Sequence, residues 1–346
     1  MTFWLNLGFV KSILRHLQLW KAAALVVADA SVPKITLPDG RQVAYLEKGC
    51  RPSDARHSLL LLHGLGSSRL SNMPGISNET LADYGVRMVA IDRPGYGQSD
   101  ARPGRTFRSE AHDLARVADA LQFPEKFWVL GYSMGGAFAW GAIRYIPERL
   151  AGATLWAPVG SLHWPGLTSQ ERADIWREIP GDSKYTIAYG RHVPRWALDL
   201  WAQRVILPNT GDRWVRHGMK RFSPPDKAYL QKPGAAEMLT KDNTEAFRQR
   251  SGAPFADDIH TMAGSWGFEP GDLTGFDKPI HIWQGTEDWL VPKGFQRYAK
   301  RRLPRLHLHE LEGEGHLSWF CHNEANQRKV LESMFGPPIS LKTSKI

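Results

Sequence analysis

Cysteine is almost missing from this chain: Cys50 and Cys321 are the only two in 346 residues. Two thiols so far apart give no disulfide framework and no Cys/His spacing suited to zinc, which fits a reducing compartment and sets a metal site aside. Internal repeats and low-complexity tracts are also lacking, and nothing in the composition points to long disorder. The glycine-rich run Gly64-Leu65-Gly66-Ser67-Ser68 has neither the Gly-Lys-Ser/Thr ending of a phosphate-binding loop nor the full dinucleotide fingerprint, so the sequence calls for no cofactor. Acidic residues are in deficit, 35 against 44 Lys and Arg, for a net charge of +9. The basic residues are spread along the chain. The nearest cluster, Lys293, Arg297, Lys300, Arg301, Arg302 and Arg305, reads as the solvated face of a helix rather than a nucleic-acid groove. A negatively charged substrate or a weak membrane attraction stays open, and nucleic acid is not an expected partner.

What is present is ample core material, 42% hydrophobic, in a length that suits one large α/β domain with an insertion. Lys34 to Thr36 and Arg41 to Glu47 flank Pro38-Asp39-Gly40 and predict a β-hairpin. Strands are expected near 58–63, 87–91, 127–131, 152–157, 279–284 and 306–311. Between several of them lie helical stretches such as Ser109 to Leu121, where Leu114, Val117, Ala118 and Leu121 keep the spacing of a buried stripe. Strand alternating with helix predicts an α/β fold: a mostly parallel central sheet with helices on both faces. The region 161–276 interrupts that alternation, is too long for a loop, and is read as a helical lid (cap) inserted between late strands. The core is then 31–160 together with 277–340. The lid carries Trp164, Trp176, Trp196, Trp201, Trp214 and Trp266, expected mostly to pack its helices, with one or two facing a substrate.

Residues 1–30 form a separate N-terminal segment. Trp4, Leu5, Leu7, Phe9, Val10, Ile13, Leu14, Leu17 and Leu19 are interrupted by Lys11, Arg15, His16 and Lys21, too often for a membrane-spanning helix. The order of charge and apolar run is wrong for a secretory signal. Two readings stay open: an amphipathic helix lying on a membrane or on the protein's own lid, or an organellar transit segment.

Chemistry is concentrated at Gly131-Tyr132-Ser133-Met134-Gly135, after the apolar run Phe127-Trp128-Val129-Leu130. G-x-S-x-G between a strand and a helix is a nucleophile elbow: a turn too tight for side chains at the glycines lifts the serine hydroxyl out of the sheet. Upstream, Ser58 to Leu62 runs into His63-Gly64-Leu65-Gly66, a loop whose amides can form half of an oxyanion hole; Leu65 and Met134 are the expected donors. Downstream, Pro279 to Trp283 opens into Gly285-Thr286-Glu287-Asp288-Trp289-Leu290-Val291-Pro292. Leu306 to Leu311 then ends in Gly313-Glu314-Gly315-His316. Ser133 as nucleophile, Asp288 as acid and His316 as base follow in a chain order that suits an acyl-transfer triad. His63, Tyr132 and Trp289, beside these loops, are the candidates for substrate contact.

The rivals are weaker. Glu287 adjoins Asp288, but its longer side chain suits the loop less well. Of thirteen histidines, His307 and His309 lie on one strand face and read as structural. His322 is expected inside the last helix, and His63 is read as orienting the oxyanion loop rather than transferring protons. Asp92, in the Gly/Pro-rich run Asp92-Arg93-Pro94-Gly95-Tyr96-Gly97, precedes the nucleophile and is expected to fix a turn beside the site.

Together these segments resemble a known group. Leu37 to Tyr45, His63 to Arg69, Asp92 to Asp100, Gly131 to Gly136, Tyr145 to Gly152, Trp266 to Leu273 and Trp283 to Pro292 are similar to plant α/β-hydrolase-fold proteins of the AB hydrolase-1 type. The similarity runs from about residue 34 to 335. It implies a serine hydrolase of ester-like substrates with Ser133, Asp288 and His316 on the family's catalytic positions, and it implies no particular substrate. Members of the group often carry an apolar N-terminal segment, so 1–30 is a candidate for peripheral membrane contact.

A carboxylic-ester hydrolase acting on small hydrophobic or acyl substrates is the expectation. Thioesterase, lipase and acyltransferase activity use the same triad. A slow-turnover, hormone-like receptor on the same fold is the alternative from another class. Ser133 argues against epoxide and haloalkane hydrolysis, which usually need an aspartate nucleophile. Oligomeric state is not readable. The expected location is cytoplasmic with membrane association; the tail Ser344-Lys345-Ile346 resembles a peroxisomal address and offers the alternative.

Overall fold

The structure, a computed structural model, describes residues 32–339. The sequence readings for the N-terminal segment and for the tail at 344–346 lie outside the described residues.

Eight strands form one sheet in the order β1-β2-β4-β3-β5-β6-β7-β8. They are β1 (Lys34–Thr36), β2 (Gln42–Gly49), β3 (His57–Leu62), β4 (Val86–Ile91), β5 (Phe127–Tyr132), β6 (Leu150–Trp156), β7 (Ile280–Gly285) and β8 (His307–Leu311). β2 runs antiparallel to β1 and β4, and every other pairing is parallel. The expected hairpin closes through Leu37 N–H donating to Arg41 O at 2.8 Å, with Gly40 at φ 86°. β3 to β7 are buried almost end to end, which is why they read as continuous apolar runs rather than alternating ones.

Alternate residues of each strand feed two separate cores. Leu60, Leu62, Val89, Ile91, Val129, Leu155 and Ile282 point to one face, beneath α2 (Phe107–Ala120), α3 (Met134–Tyr145) and α11 (Gly294–Arg302). Leu59, Leu61, Met88, Ala90, Leu130 and Trp283 point to the other, beneath α1 (Asn78–Asp83) and α12 (Glu324–Phe335). Thr106 starts α2 with a reciprocal capping box to Ser109. α3 is buried along nearly its whole length, and Gly135, Gly136, Ala137, Ala139, Gly141 and Ala142 let its backbone lie close to the sheet and to α2.

Between β6 and β7 the chain leaves the sheet and forms seven helices: α4 (Ser169–Glu178), α5 (Gly181–Tyr189), α6 (Arg195–Trp201), α7 (Asp212–Gly218), α8 (Pro224–Leu230), α9 (Ala235–Ala246) and α10 (Ala253–Ala263). A π-helical turn, Ala202–Ile206, continues α6. These helices fall within 161–276, where the sequence breaks the strand–helix alternation. The tryptophans of this region differ in burial, with Trp176 and Trp214 partly buried against the two cores. Trp164 stacks on Tyr298 at 5.3 Å and Trp266 packs on Phe107 at 4.7 Å, both buried in the main core. Trp196 is exposed instead, a departure from the expected role as helix packing, and Trp201 is partly exposed while meeting Phe255 at 6.1 Å, because their helices turn Leu198 and Ala202 inward.

Candidate active site

The C-terminal ends of β5, β7 and β8 meet at one edge of the sheet, and the loops that leave them carry Ser133, Asp288 and His316. Ser133 lies between β5 and α3 at φ 53°, ψ −116°, a backbone state that side-chain-bearing residues rarely occupy. Its N–H donates to Trp156 O at 2.8 Å, while its carbonyl accepts from Gly136 N–H at 2.9 Å and Val159 N–H at 3.1 Å. These bonds hold the strained turn. The flanking glycines are required by space: a Cβ on Gly131 would stand 2.5 Å from Gly135 O, and one on Gly135 would stand 2.1 Å from Leu62 O. Met134 occupies the first helical position of α3, so its N–H has no intrahelical acceptor and adds to the positive end of the helix dipole. The Gly64 backbone passes so near that a Cβ there would sit 3.3 Å from Ser133 Cβ, which brings the loop bearing Leu65 alongside the serine.

His316 and Asp288 are joined directly. His316 Nδ1 lies 2.7 Å from Asp288 Oδ2, and both side chains are buried. The other carboxylate oxygen, Oδ1, accepts the N–H groups of Leu290 and Val291 at 2.8 and 2.9 Å, and Gln284 Nε2 donates to Oδ2 at 3.1 Å. Glu287 has no part in this pairing. Burial disfavours the imidazolium of His316, but the charge and hydrogen bond of Asp288, with the charge of Asp226, outweigh it and hold the pKa above the ordinary imidazole value of 6.5. Tyr132 packs its ring on the His316 ring at 5.1 Å. No hydrogen bond joins Ser133 Oγ to His316 among the described residues.

The backbone of His316 is clamped at both ends. Tyr132 Oη and Trp156 Nε1 donate to its carbonyl at 3.3 and 3.1 Å. Asp226 of α8, wholly buried, accepts the N–H groups of His316, Leu317 and Ser318 at 2.9, 2.7 and 3.1 Å, together with Ser223 Oγ at 3.0 Å. Gly315 makes this approach feasible, since a Cβ there would lie 2.4 Å from Asp226 Oδ1. No local pattern hints at this residue: in Pro224-Pro225-Asp226-Lys227 an aspartate looks like an ordinary first-turn acid of a helix. Asp226→Ala leaves four donors without their acceptor, and kcat for ester hydrolysis should fall about ten- to a hundredfold with KM little changed. Steady-state kinetics beside a circular-dichroism check of folding will show whether it does.

The insertion also grips the loop that carries Leu65. Asp242 of α9 accepts from Ser67 Oγ, Ser68 N–H and Ser68 Oγ at 2.6, 2.9 and 2.7 Å; burial pushes its carboxyl up to about 6. Asn243 Nδ2 donates to Gly66 O at 2.8 Å, and Glu245 Oε1 accepts from Arg69 at 2.8 Å. Asp92 is the turn-fixing residue expected of it, buried and accepting from Arg69 N–H and Gln98 N–H at 2.7 and 2.9 Å.

Of the three candidates for substrate contact, His63 faces inward. It is fully buried, with Nδ1 directed at Gly64 O at 2.8 Å and Nε2 accepting from Arg93 N–H at 3.0 Å. Burial and the Arg93 charge keep it neutral, its pKa well below 6.5. Both ring nitrogens are therefore spent on the backbone, and the substrate-contact expectation for His63 is corrected to one of orienting the loop. Tyr132 packs its ring on His316 and donates to the His316 carbonyl, as described. Trp289 is half exposed at the rim, with Lys227 Nζ 5.6 Å from its ring centroid. His322 precedes α12 instead of lying in it, and its Nδ1 is 2.7 Å from Tyr229 Oη. His307 and His309 stack on His281 and Trp283, as structural residues do.

Residues 57–322 match the family described as the alpha/beta hydrolase fold. The chain belongs to that family. It is 30% identical over 270 residues to a pimeloyl-[acyl-carrier protein] methyl ester esterase of Aeromonas salmonicida, covering 76% of this chain and 90% of the relative. Other curated relatives match over a smaller part of their length: the chain spans 3% of a multifunctional-autoprocessing repeats-in-toxin protein of Vibrio cholerae and 42% of a Bacillus subtilis relative. Among solved structures, a thermophilic esterase of Thermogutta terrifontis superposes with a TM-score of 0.58 at 21% identity, over 88% of this chain and all of that one, a likeness of fold.

Proposed function

We propose that the protein is a serine hydrolase of carboxylic esters, working through an acyl-enzyme on Ser133. The observation that carries this reading is the buried His316–Asp288 pair at 2.7 Å, set at the same sheet edge as a serine held at positive φ between two obligatory glycines. Family membership and the similarity to a methyl ester esterase support it.

Ser133 Oγ attacks the acyl carbon as His316 Nε2 takes its proton, and Asp288 steadies the imidazolium through Nδ1. The carbonyl oxygen becomes an oxyanion, which the amides of Leu65 and Met134 receive; losing one such donor typically costs about a hundred- to a thousandfold. The intermediate collapses, the carbon–oxygen bond of the alcohol breaks, and His316 returns the proton to the departing alkoxide. Water then attacks the acyl-enzyme with His316 again as base, releasing the acid and restoring Ser133. The insertion, through Asp226, Asp242 and Asn243, holds the histidine and oxyanion loops in register with the serine. Small hydrophobic or acyl groups are the substrate class.

Labelling with a fluorophosphonate, read by peptide mass spectrometry, tests the reading. Rapid labelling at Ser133 that is lost in Ser133→Ala and His316→Ala is expected. An intact chain that does not label would sink the hydrolase and favour a ligand receptor. The pH profile gives a second check. The base must be neutral, and His316 binds its proton more tightly than a free imidazole does. Activity should therefore fall as pH drops, along an acid limb centred above 6.5 rather than below it. In Asp288→Asn the limb should move to lower pH, because the charge that raises the pKa is gone.

A further inference from the structure

Among the described residues seven large apolar side chains are exposed, and six lie in one stretch of the insertion: Tyr185, Tyr189, Trp196, Leu200, Trp201 and Val205, between 39% and 74% exposed. They fall in pairs four residues apart, 185 with 189, 196 with 200 and 201 with 205, and residues so spaced share one face of a helix. α5 and α6 both pack on α10. Leu198 and Ala202 are turned inward, Leu198 against Ala256 and Ile259. Apart from Trp201, whose ring also meets Phe255 of α10 at 6.1 Å, the exposed side chains form an outer surface that no described element covers, and exposed apolar side chains grouped in this way mark a site of interaction.

Charge follows the same stretch. Residues 185–205 contain Arg191, Arg195 and Arg204 against Asp199 alone, and of the three Arg195 pairs with Asp257 at 2.6 Å. Arg191 and Arg204 are exposed within the aromatic stretch itself.

We infer that this face of the insertion docks on an anionic lipid surface. The four exposed aromatics are Tyr or Trp, none Phe, and such rings combine an apolar body with a polar tip, the preference of a water–hydrocarbon boundary. A protein partner would have to supply an acceptor for each buried tip, whereas headgroups and interfacial water supply them without special geometry. The surplus positive charge is complementary to anionic headgroups, and each basic residue near such a surface adds to attraction in a salt-dependent way. The placement is that of a peripheral attachment, since no helix among the described residues is long and apolar enough to cross a membrane. The inference does not rest on the esterase reading.

The test uses the full chain with Trp196→Cys labelled by an environment-sensitive fluorophore, in a Cys50→Ser background, because Cys321 is buried. It is mixed with phosphatidylcholine vesicles, with and without phosphatidylserine. A blue shift is expected only with phosphatidylserine, reversed by high salt, with affinity reduced at least about tenfold in Arg191→Glu/Arg204→Glu. No shift, or a shift that an acidic polypeptide produces and vesicles do not, overturns it. A chain that floats with vesicles while the fluorophore stays in water also overturns it, since the attachment would then lie elsewhere. Trp196→Ser, at an exposed position, serves as a folding control by thermal unfolding, and fluorophosphonate labelling of Ser133 reports on the active site independently.

Discussion

Asp288→Asn is expected to lower kcat for ester hydrolysis about ten-thousandfold while the protein stays folded. The substitution is isosteric, so its effect arises from protons rather than packing. Oδ1 holds the Leu290 and Val291 amides at 2.8 and 2.9 Å, and an asparagine keeps them only by placing its carbonyl oxygen there. Its NH2 group then faces His316 Nδ1 at the position where the native carboxylate accepts at 2.7 Å. A donor at that place forces Nδ1 to accept, which moves the ring proton to Nε2 and leaves no lone pair to take the proton of Ser133. Gln284 Nε2, which donates to Oδ2, meets a donor as well, so a modest loss of stability accompanies the change. Kinetics on a short-chain ester, with the melting temperature measured in parallel, separate the two effects. A decrease of less than tenfold would remove Asp288 from the mechanism and reopen Glu287.

The second large effect is on stability. Asp258 of α10, fully buried, accepts from Arg93 at 2.8 and 2.6 Å, from Arg105 at 2.5 Å and from Tyr96 Oη at 2.7 Å. Burial raises the cost of its charge, but the two guanidinium groups outweigh that and hold its pKa below the ordinary carboxylate value. Asp258→Ala strands the buried cation of Arg93, while Arg105 keeps Glu110 at 2.7 Å, and breaking a buried pair from one side costs about 3–5 kcal/mol. For a chain of this length that corresponds to a fall in Tm of about 4–7 °C. The damage reaches the active site, because Arg93 also donates to His63 O and Gly64 O at 3.1 and 3.3 Å and so supports the oxyanion loop. A depressed pKa means that the stabilisation is present above the unfolded carboxylate value and disappears as pH falls through the folded one. The deficit of the variant should therefore be full at neutral pH and narrow only in strong acid. Calorimetry at pH 7 and pH 3 would show this, and an unchanged Tm at pH 7 would refute it.

How much of this was legible beforehand follows the range of the interactions. The strands, the helices flanking Ser133 and the hairpin are set by local patterns: continuous apolar runs, a three-and-four stripe and Pro-Asp-Gly. The elbow is legible because its constraint is local too, with Gly131 and Gly135 excluded from bearing a Cβ by backbone atoms of their own turn and of β3. Asp288 and His316 were found through the chain order of loops leaving strands. For His63 the structure gives hydrogen bonds on both ring nitrogens in place of the expected substrate contact, since nothing in His63-Gly64 reveals that Arg93 N–H occupies its second nitrogen.

The sequence by itself determined the architecture and singled out the residues proposed to carry the chemistry, because periodicity and steric exclusion act over a few residues. Only the tertiary structure decided how that chemistry is held. Asp226 lies 90 positions from the His316 amide it accepts, Asp242 lies 174 from Ser68, and Asp258 lies 165 from Arg93. In the sequence each is one acid among 35. A buried carboxylate takes its role from the donors that folding brings to it, and no local pattern encodes that meeting. The same holds for the exposed face at 185–205, where Trp196 and Trp201 read as packing and the burial of the opposite side turned them outward.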